Sequence, residues 1–167
     1  MVNLVQAQQI VAPTGVAALS NFAQTGLVPV LSGYSGSGFT VSANSEYSAS
    51  YAAWKPFGAS NADWATASIT SAFWLQIQCP RPLYCWKALI QGRLSNENPQ
   101  RAVIQGSNNA ATWVTLALLN GDIGNADAIE VPLALTAAGP FQYYRLYCYR
   151  GGGTNPGVQR LQFYQAS

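Results

Sequence analysis

The chain has 167 residues, 49% of them hydrophobic, 12% aromatic and only 8% charged, against about 25% charged in an ordinary soluble domain. That size and apolar content suit one domain with a full core, covered on its surface mainly by Gln, Asn, Ser, Thr and Gly. With no histidine at all, Ser-His-Asp triads, Cys-His pairs and His-ligated zinc are excluded. The net charge of +2 comes from eight basic and six acidic residues, too dilute for the phosphate-neutralising patch of a nucleic-acid binder.

Residues 1–45 carry no charged side chain, and Glu46 is the first. A solvated tail would be charged and a linker richer in Gly and Ser. Residues 1–37 are therefore expected to form an uncharged arm that assembles against its own domain or a neighbouring subunit. The first basic residue is Lys55, so the N-terminus lacks the positive flank of a signal peptide, and no apolar run approaches the roughly 18 residues of a membrane span. The Gly33–Gly38 run (GYSGSG) reads as a turn ahead of the main domain, residues 38–167.

From Phe39 onward the apolar period is two. In Phe73–Gln78 (FWLQIQ), Phe73, Leu75 and Ile77 share one face, with Trp74, Gln76 and Gln78 opposite. Ala88–Arg93 and Arg101–Gly106 are two further short strands. Trp113–Leu119 follows, closed by the hairpin-type dipeptide Asn120-Gly121. Ile129–Leu135 is placed at a sheet edge by Pro132. Phe141–Arg150 (FQYYRLYCYR) is the longest aromatic strand, Gly151-Gly152-Gly153 reads as a hairpin turn, and Val158–Gln165 closes the domain. Seven or eight strands at this spacing, with no helical stripe, predict an all-β antiparallel sandwich or jelly roll.

Cys79, Cys85 and Cys148 are odd in number and suit folding in a reducing compartment. Buried, inert thiols are the favoured reading, with a Cys79–Cys85 disulfide as the alternative. The six acids stand in no catalytic motif, so no enzymatic activity is expected. Asp122, Asp127 and Glu130 read as solubility charges.

Several segments, taken in order, resemble the discoidin family, also called coagulation factor 5/8 type C, within the galactose-binding-like jelly rolls. Ser42–Tyr47 (SANSEY) resembles its opening SASSEY strand, and Tyr51–Gly58 (YAAWKPFG) its AWKAFDG segment. Trp64-Ala65-Thr66 with Phe73–Ile77 resembles WAT…WLQI. Ile104–Asn109 with Trp113 resembles LQGSNDG…W, while Tyr143–Tyr147 and Leu161–Tyr164 resemble the last two strands. The likeness spans about residues 38–165. Its flavour is similar to versions found in bacteriophage tail fibres and other virion proteins.

The resemblance implies a non-enzymatic, carbohydrate-binding-type domain. It implies core roles for Trp54, Trp64 and Trp113, and leaves Trp74 and Trp86 open. Tyr47, Tyr51, Asn61 and Asp63 lie in segments that resemble the family's ligand-facing loops. The loop Gly92–Arg101 gathers Arg93, Asn96, Glu97, Asn98 and Arg101, the amides, carboxylate and guanidinium forks that pair sugar hydroxyls; the alternative is a surface Arg93–Glu97 pair of little energetic weight. Many relatives hold a structural Ca²⁺ through loop acids. Here Gly58 directly follows Phe57, and Asn109-Ala110 stands where the family has Asp-Gly, so no cofactor is expected and calcium is disfavoured.

The leading expectation is a bacteriophage virion protein, tail fibre or spike, assembled in the host cytoplasm as a homo-oligomer and binding surface glycans. The alternatives are a capsid decoration or attachment protein that binds other virion subunits, and a soluble oligomeric lectin. Neither a nucleic-acid nor a membrane partner is expected.

Overall fold

In the computed structural model, residues 30–60, 62–68, 72–93, 96–134 and 139–165 are described. Most of the predicted arm, residues 1–29, lies outside them, as does Asn61.

The strands are β1 (Ser35–Gly36), β2 (Phe39–Ala43), β3 (Trp64–Ala65), β4 (Phe73–Leu83), β5 (Cys85–Gly92), β6 (Pro99–Ser107), β7 (Val114–Asn120), β8 (Ile129–Pro132), β9 (Phe141–Gly151) and β10 (Gly157–Gln165). They form two sheets, a six-stranded one in the order β1-β2-β4-β9-β6-β7 and a four-stranded one in the order β3-β10-β5-β8. Every pairing is antiparallel. This is the expected sandwich, with one inner and one outer face on each sheet.

The period-two reading explains the core. Phe73, Leu75 and Ile77 on β4, Ile104 on β6 and Leu146 on β9 face Ala88 and Ile90 on β5 and Val158, Leu161 and Phe163 on β10, all of them buried. Trp64 is fully buried among them, its ring 6.0 Å from that of Phe73, and its indole N–H donates to the Ser45 carbonyl at 3.0 Å. Trp54 and Trp113, expected in the core, are instead half-buried and stand outside it. Indole Nε1 of Trp113 donates to the Ala110 carbonyl, which keeps that ring at the sheet's rim.

The domain begins earlier than residue 38. Leu31 is 3% exposed and packs into the core, and its N–H donates to the Phe57 carbonyl at 3.1 Å. The glycine-rich run folds as a hairpin: Ser37 and Gly38 both take positive φ, 52° and 82°, the two-residue turn whose twist matches its strands.

Two expected hairpins are crossings instead. After Asn120-Gly121 the chain leaves the six-stranded sheet, and β8 pairs with β5; after Gly151–Gly153 it leaves again, and β10 pairs with β5 and β3. The dipeptide signal reports a left-handed backbone, φ 111° at Gly121 and 62° at Gly153, and says nothing of which sheet the next strand joins. Pro132 does sit in an edge strand, and β8 stops there rather than at Leu135, which lies outside the described residues.

Another crossing joins β4 to β5. Pro80 and Pro82 cannot donate to a ladder, and the β4–β9 pairing breaks between Gln78 and Leu83. The buried Tyr144 hydroxyl fastens the crossing, donating to the Leu83 carbonyl at 2.5 Å and accepting from the Cys85 N–H at 3.1 Å. All three cysteines are free thiols and buried. Burial pushes the Cys79 thiol up to about 12 and lifts Cys85 and Cys148 well above the ordinary thiol range.

Candidate functional site

One end of the sandwich gathers the segments before β3, between β5 and β6, and between β9 and β10. The 46–53 segment is shaped by Glu46, whose carboxylate accepts from the Ala53 N–H at 2.8 Å and from the Tyr34 hydroxyl at 2.7 Å. That hydrogen bond raises the Tyr34 phenol to about 12. A short 3₁₀ turn, Ala49–Tyr51, capped by the Ser48 side chain, then presents Tyr51.

Arg93 follows Gly92, where a Cβ would lie 2.0 Å from the Ile123 carbonyl oxygen; only glycine allows that approach. The Arg93 side chain is buried, and its Nε donates to Asp63 Oδ2 at 3.1 Å. Its Nη1 donates to the Glu97 carboxylate and to the Asn155 carbonyl at 3.1 Å. The guanidinium carbon stands 4.6 Å from the centre of the Tyr51 ring. Asn155 extends the network, donating from Nδ2 to the carbonyls of Thr66 and Ala67, each at 3.0 Å.

One buried cation thus ties four separate segments together. Burial raises the Asp63 carboxyl above its ordinary value and outweighs the opposing pull of Arg93. Beside Tyr51 stands Tyr47, a residue 55% exposed, with its ring 5.7 Å from that of Tyr51 and tilted by 50°. The site offers an open aromatic face beside part-exposed carboxylate edges, suited to stacking a ring and accepting hydroxyl protons. Because Asp63 and Glu97 share one arginine, they are not a free acid and a free base.

The structure distributes the predicted residues over three places. Tyr47, Tyr51, Asp63, Arg93 and Glu97 come together here, with Asn96 exposed on the same β5–β6 loop. Arg93 and Glu97 do pair, but in a buried network rather than on the surface. Asn98 is 1% exposed and its side-chain N and O have no partner among the described residues, which removes it from any surface contact. Arg101 points outward from β6 over the Tyr149 ring, 5.8 Å away, on a different surface. Glu130, expected as a solubility charge, is paired with the buried Lys87 at 2.6 Å.

Sequence reasoning missed Asn155 and the part played by the glycine run. A Cβ at Gly152 would meet the Asn96 carbonyl oxygen at 2.6 Å, so Gly152 marks the close approach of two loops. The glycines were a legible signal for that.

Among the described residues the side chains do not gather into the loop-acid calcium set that the resemblance implies. Asn109 Oδ1 already accepts from the N–H groups of Ala111 and Thr112 at 2.9 and 2.8 Å. Glu46, Asp63, Glu97 and Glu130 are engaged as described. Among the described residues no three of His, Cys, Asp and Glu cluster as metal ligands.

No family model and no curated protein matches the chain, whereas solved structures do. A chitosan-binding module 1 from a chitosanase/glucanase of Paenibacillus sp. IK-5 superposes with a TM-score of 0.69 at 17% identity, covering 85% of this chain and 99% of that one. A family 32 carbohydrate-binding module from NanJ of C. perfringens, solved with galactose, gives 0.63 at 17% identity, covering 77% and 95%. An F5/8 type C domain from Bacteroides fragilis gives 0.63 at 20% identity, covering 78% and 93%. The fold is therefore the discoidin-like one suggested by the sequence, and it is shared with carbohydrate-binding modules.

Proposed function

We propose that this discoidin-like sandwich is a non-enzymatic glycan-recognition domain, and that a sugar ring stacks on Tyr47 with its hydroxyls donating to the outer edges of Asp63 and Glu97. The observation that carries the reading is exposed Tyr47, its ring set against that of Tyr51 beside the Arg93-held carboxylates. A site whose floor is fixed by a buried network spends little entropy on ordering when a ligand arrives. Solved structures of the same fold support the reading, among them one described as a chitosan-binding module and one in complex with galactose.

A glycan array probed with the full chain should give hits that Tyr47→Ala weakens at least about tenfold, by about 1.4 kcal/mol, while thermal melting stays unchanged. Tyr47→Phe should retain them. Hits indifferent to Tyr47→Ala would sink this placement of the site.

We assign the domain to a bacteriophage virion, as a tail fibre or spike component. The assignment is supported by the resemblance of its segments to such proteins and by three buried free thiols in an adhesin-type fold. Peptides of the chain should be recovered from gradient-purified particles; recovery from the lysate alone would reject the assignment. Loss of incorporation on deleting residues 1–29, with glycan binding intact, would assign the arm to attachment.

A further inference from the structure

The outer face of the six-stranded sheet is built unlike a solvated surface. Register places Trp74, Tyr147, Val103 and Leu118 in one row across β4, β9, β6 and β7, and Gln76, Arg145, Gln105 and Thr115 in the next. Leu118 is 70% exposed and Tyr149 53%. The Tyr147 and Tyr149 rings meet edge to face at 5.1 Å.

Arg145 is held between two rings, its guanidinium carbon 3.7 Å from the centre of Trp113 and 4.7 Å from that of Tyr147. Its Nε donates to Gln105 Oε1 at 2.8 Å. The two rings and Gln105 thus hold the guanidinium in place on the outer face. Arg101 lies across the Tyr149 ring nearby. Beside Arg101 opens a cavity of about 260 Å³, lined by Arg101, Val103, Thr115, Leu118, Asn120 and Tyr149.

Neither arginine has a carboxylate within ion-pair distance among the described residues. Glu46, Asp63, Glu97 and Glu130 are bound elsewhere, and Asp122 and Asp127 lie in the β7–β8 connection. Burial draws the Arg145 guanidinium below its ordinary value, as desolvation without a counter-charge must.

We infer that this face is a second binding site, separate from the loop end, for an acidic glycan with one carboxylate paired to Arg101 at the cavity and its ring on the Tyr149–Leu118 side, and with a further carboxylate reaching Arg145 along the same face. A planar guanidinium fork matches a carboxylate bidentately, the aromatic and leucine surface takes the apolar face of a sugar, and Gln76 and Asn120 supply amides for hydroxyls. Nucleic acid fits less well, because two or three arginines neutralise too few phosphates. The inference stands whether or not the loop end binds sugar.

The test is calorimetric titration of the full chain with tetragalacturonate, its methyl ester, tetramannuronate and sialyllactose. We expect at least one acidic probe to bind. The methyl ester should bind about tenfold or more weakly than the free acid, and added salt should weaken the acid further. Arg145→Gln and Arg101→Gln should each cost about tenfold, while Tyr47→Ala leaves acidic binding unchanged, which separates this site from the loop end. Arg101 lies at the exposed rim, so its variant decides the matter if Arg145→Gln fails to fold. Silence of every acidic probe, equal binding of the ester, or wild-type binding by the Arg101 variant would overturn the inference. Self-association that disappears in the Arg101 variant without any glycan binding would give the face to a second copy of the chain, and overturn it too.

Discussion

Take Arg93 away and two part-buried carboxylates, Asp63 and Glu97, face one another without a counter-charge, while the carbonyl of Asn155 loses its donor. Breaking such a pair by removing one partner costs more than the pair contributes when whole. Arg93→Ala should therefore lower stability by about 2–4 kcal/mol in urea unfolding, and Arg93→Lys should restore little, since a point charge cannot span both acids. Asp63→Asn behaves differently. Burial raises the Asp63 carboxyl above its ordinary 3.8, so the folded state holds that proton more tightly than the unfolded chain. Its contribution is greatest below about pH 3.8 and falls as pH rises through the folded value. Relative to wild type, Asp63→Asn should then gain stability between about pH 3.8 and neutrality, and denaturation curves across that range would show it. At this scale the sequence revealed chemistry without direction. The cluster of polar side chains in residues 92–101 was legible, because charge is so sparse elsewhere. That Arg93 points into the protein, Asn98 into the interior and Arg101 onto another face was not, because three neighbouring loops fix those directions.

Strands are where the sequence spoke most clearly. A pleated strand with one wet face must alternate, and Phe73-Trp74-Leu75-Gln76-Ile77-Gln78 does so residue by residue. Partner choice is another matter, decided by which faces meet once the chain has collapsed. Asn120-Gly121 and Gly151–Gly153 looked like hairpins and are crossings between sheets, since a turn dipeptide sets a local bend and the destination is set by the cores on either side. The aromatic-arginine outer face was equally hidden, because its rows join residues from four strands whose register no single segment displays. Gly157 marks one place where elements come unusually close. It pairs with Ala65, and a Cβ there would sit 1.8 Å from the Trp64 carbonyl oxygen. Both neighbours are backbone, so neither can swing aside. Gly157→Ala should push β3 off β10 and cost about 3 kcal/mol or more, seen as a lower melting temperature with the circular dichroism of a sandwich retained.

At the scale of the molecule, the sandwich depends on a residue ahead of its first strand. Leu31 is buried and its N–H is bonded to Phe57, so a chain started at Ser32 should melt below one started at Val30, by about 2–3 kcal/mol of lost burial and one backbone hydrogen bond. The order in which strands are joined has its own consequence. Among the described strands, only β1 with β2 and β6 with β7 pair as sequence neighbours; every other ladder there unites strands with at least one strand between them in the chain. Long loops must close before those contacts return any free energy, which places such folds toward the slow, millisecond-to-second end of two-state folding. The barrier works in both directions. Apart from the β1–β2 and β6–β7 hairpins at the two sheet edges, no described strand can peel away with its neighbour in the chain, so the rest of the domain should open together and seldom, and its working lifetime would be governed by its unfolding rate more than by its equilibrium stability.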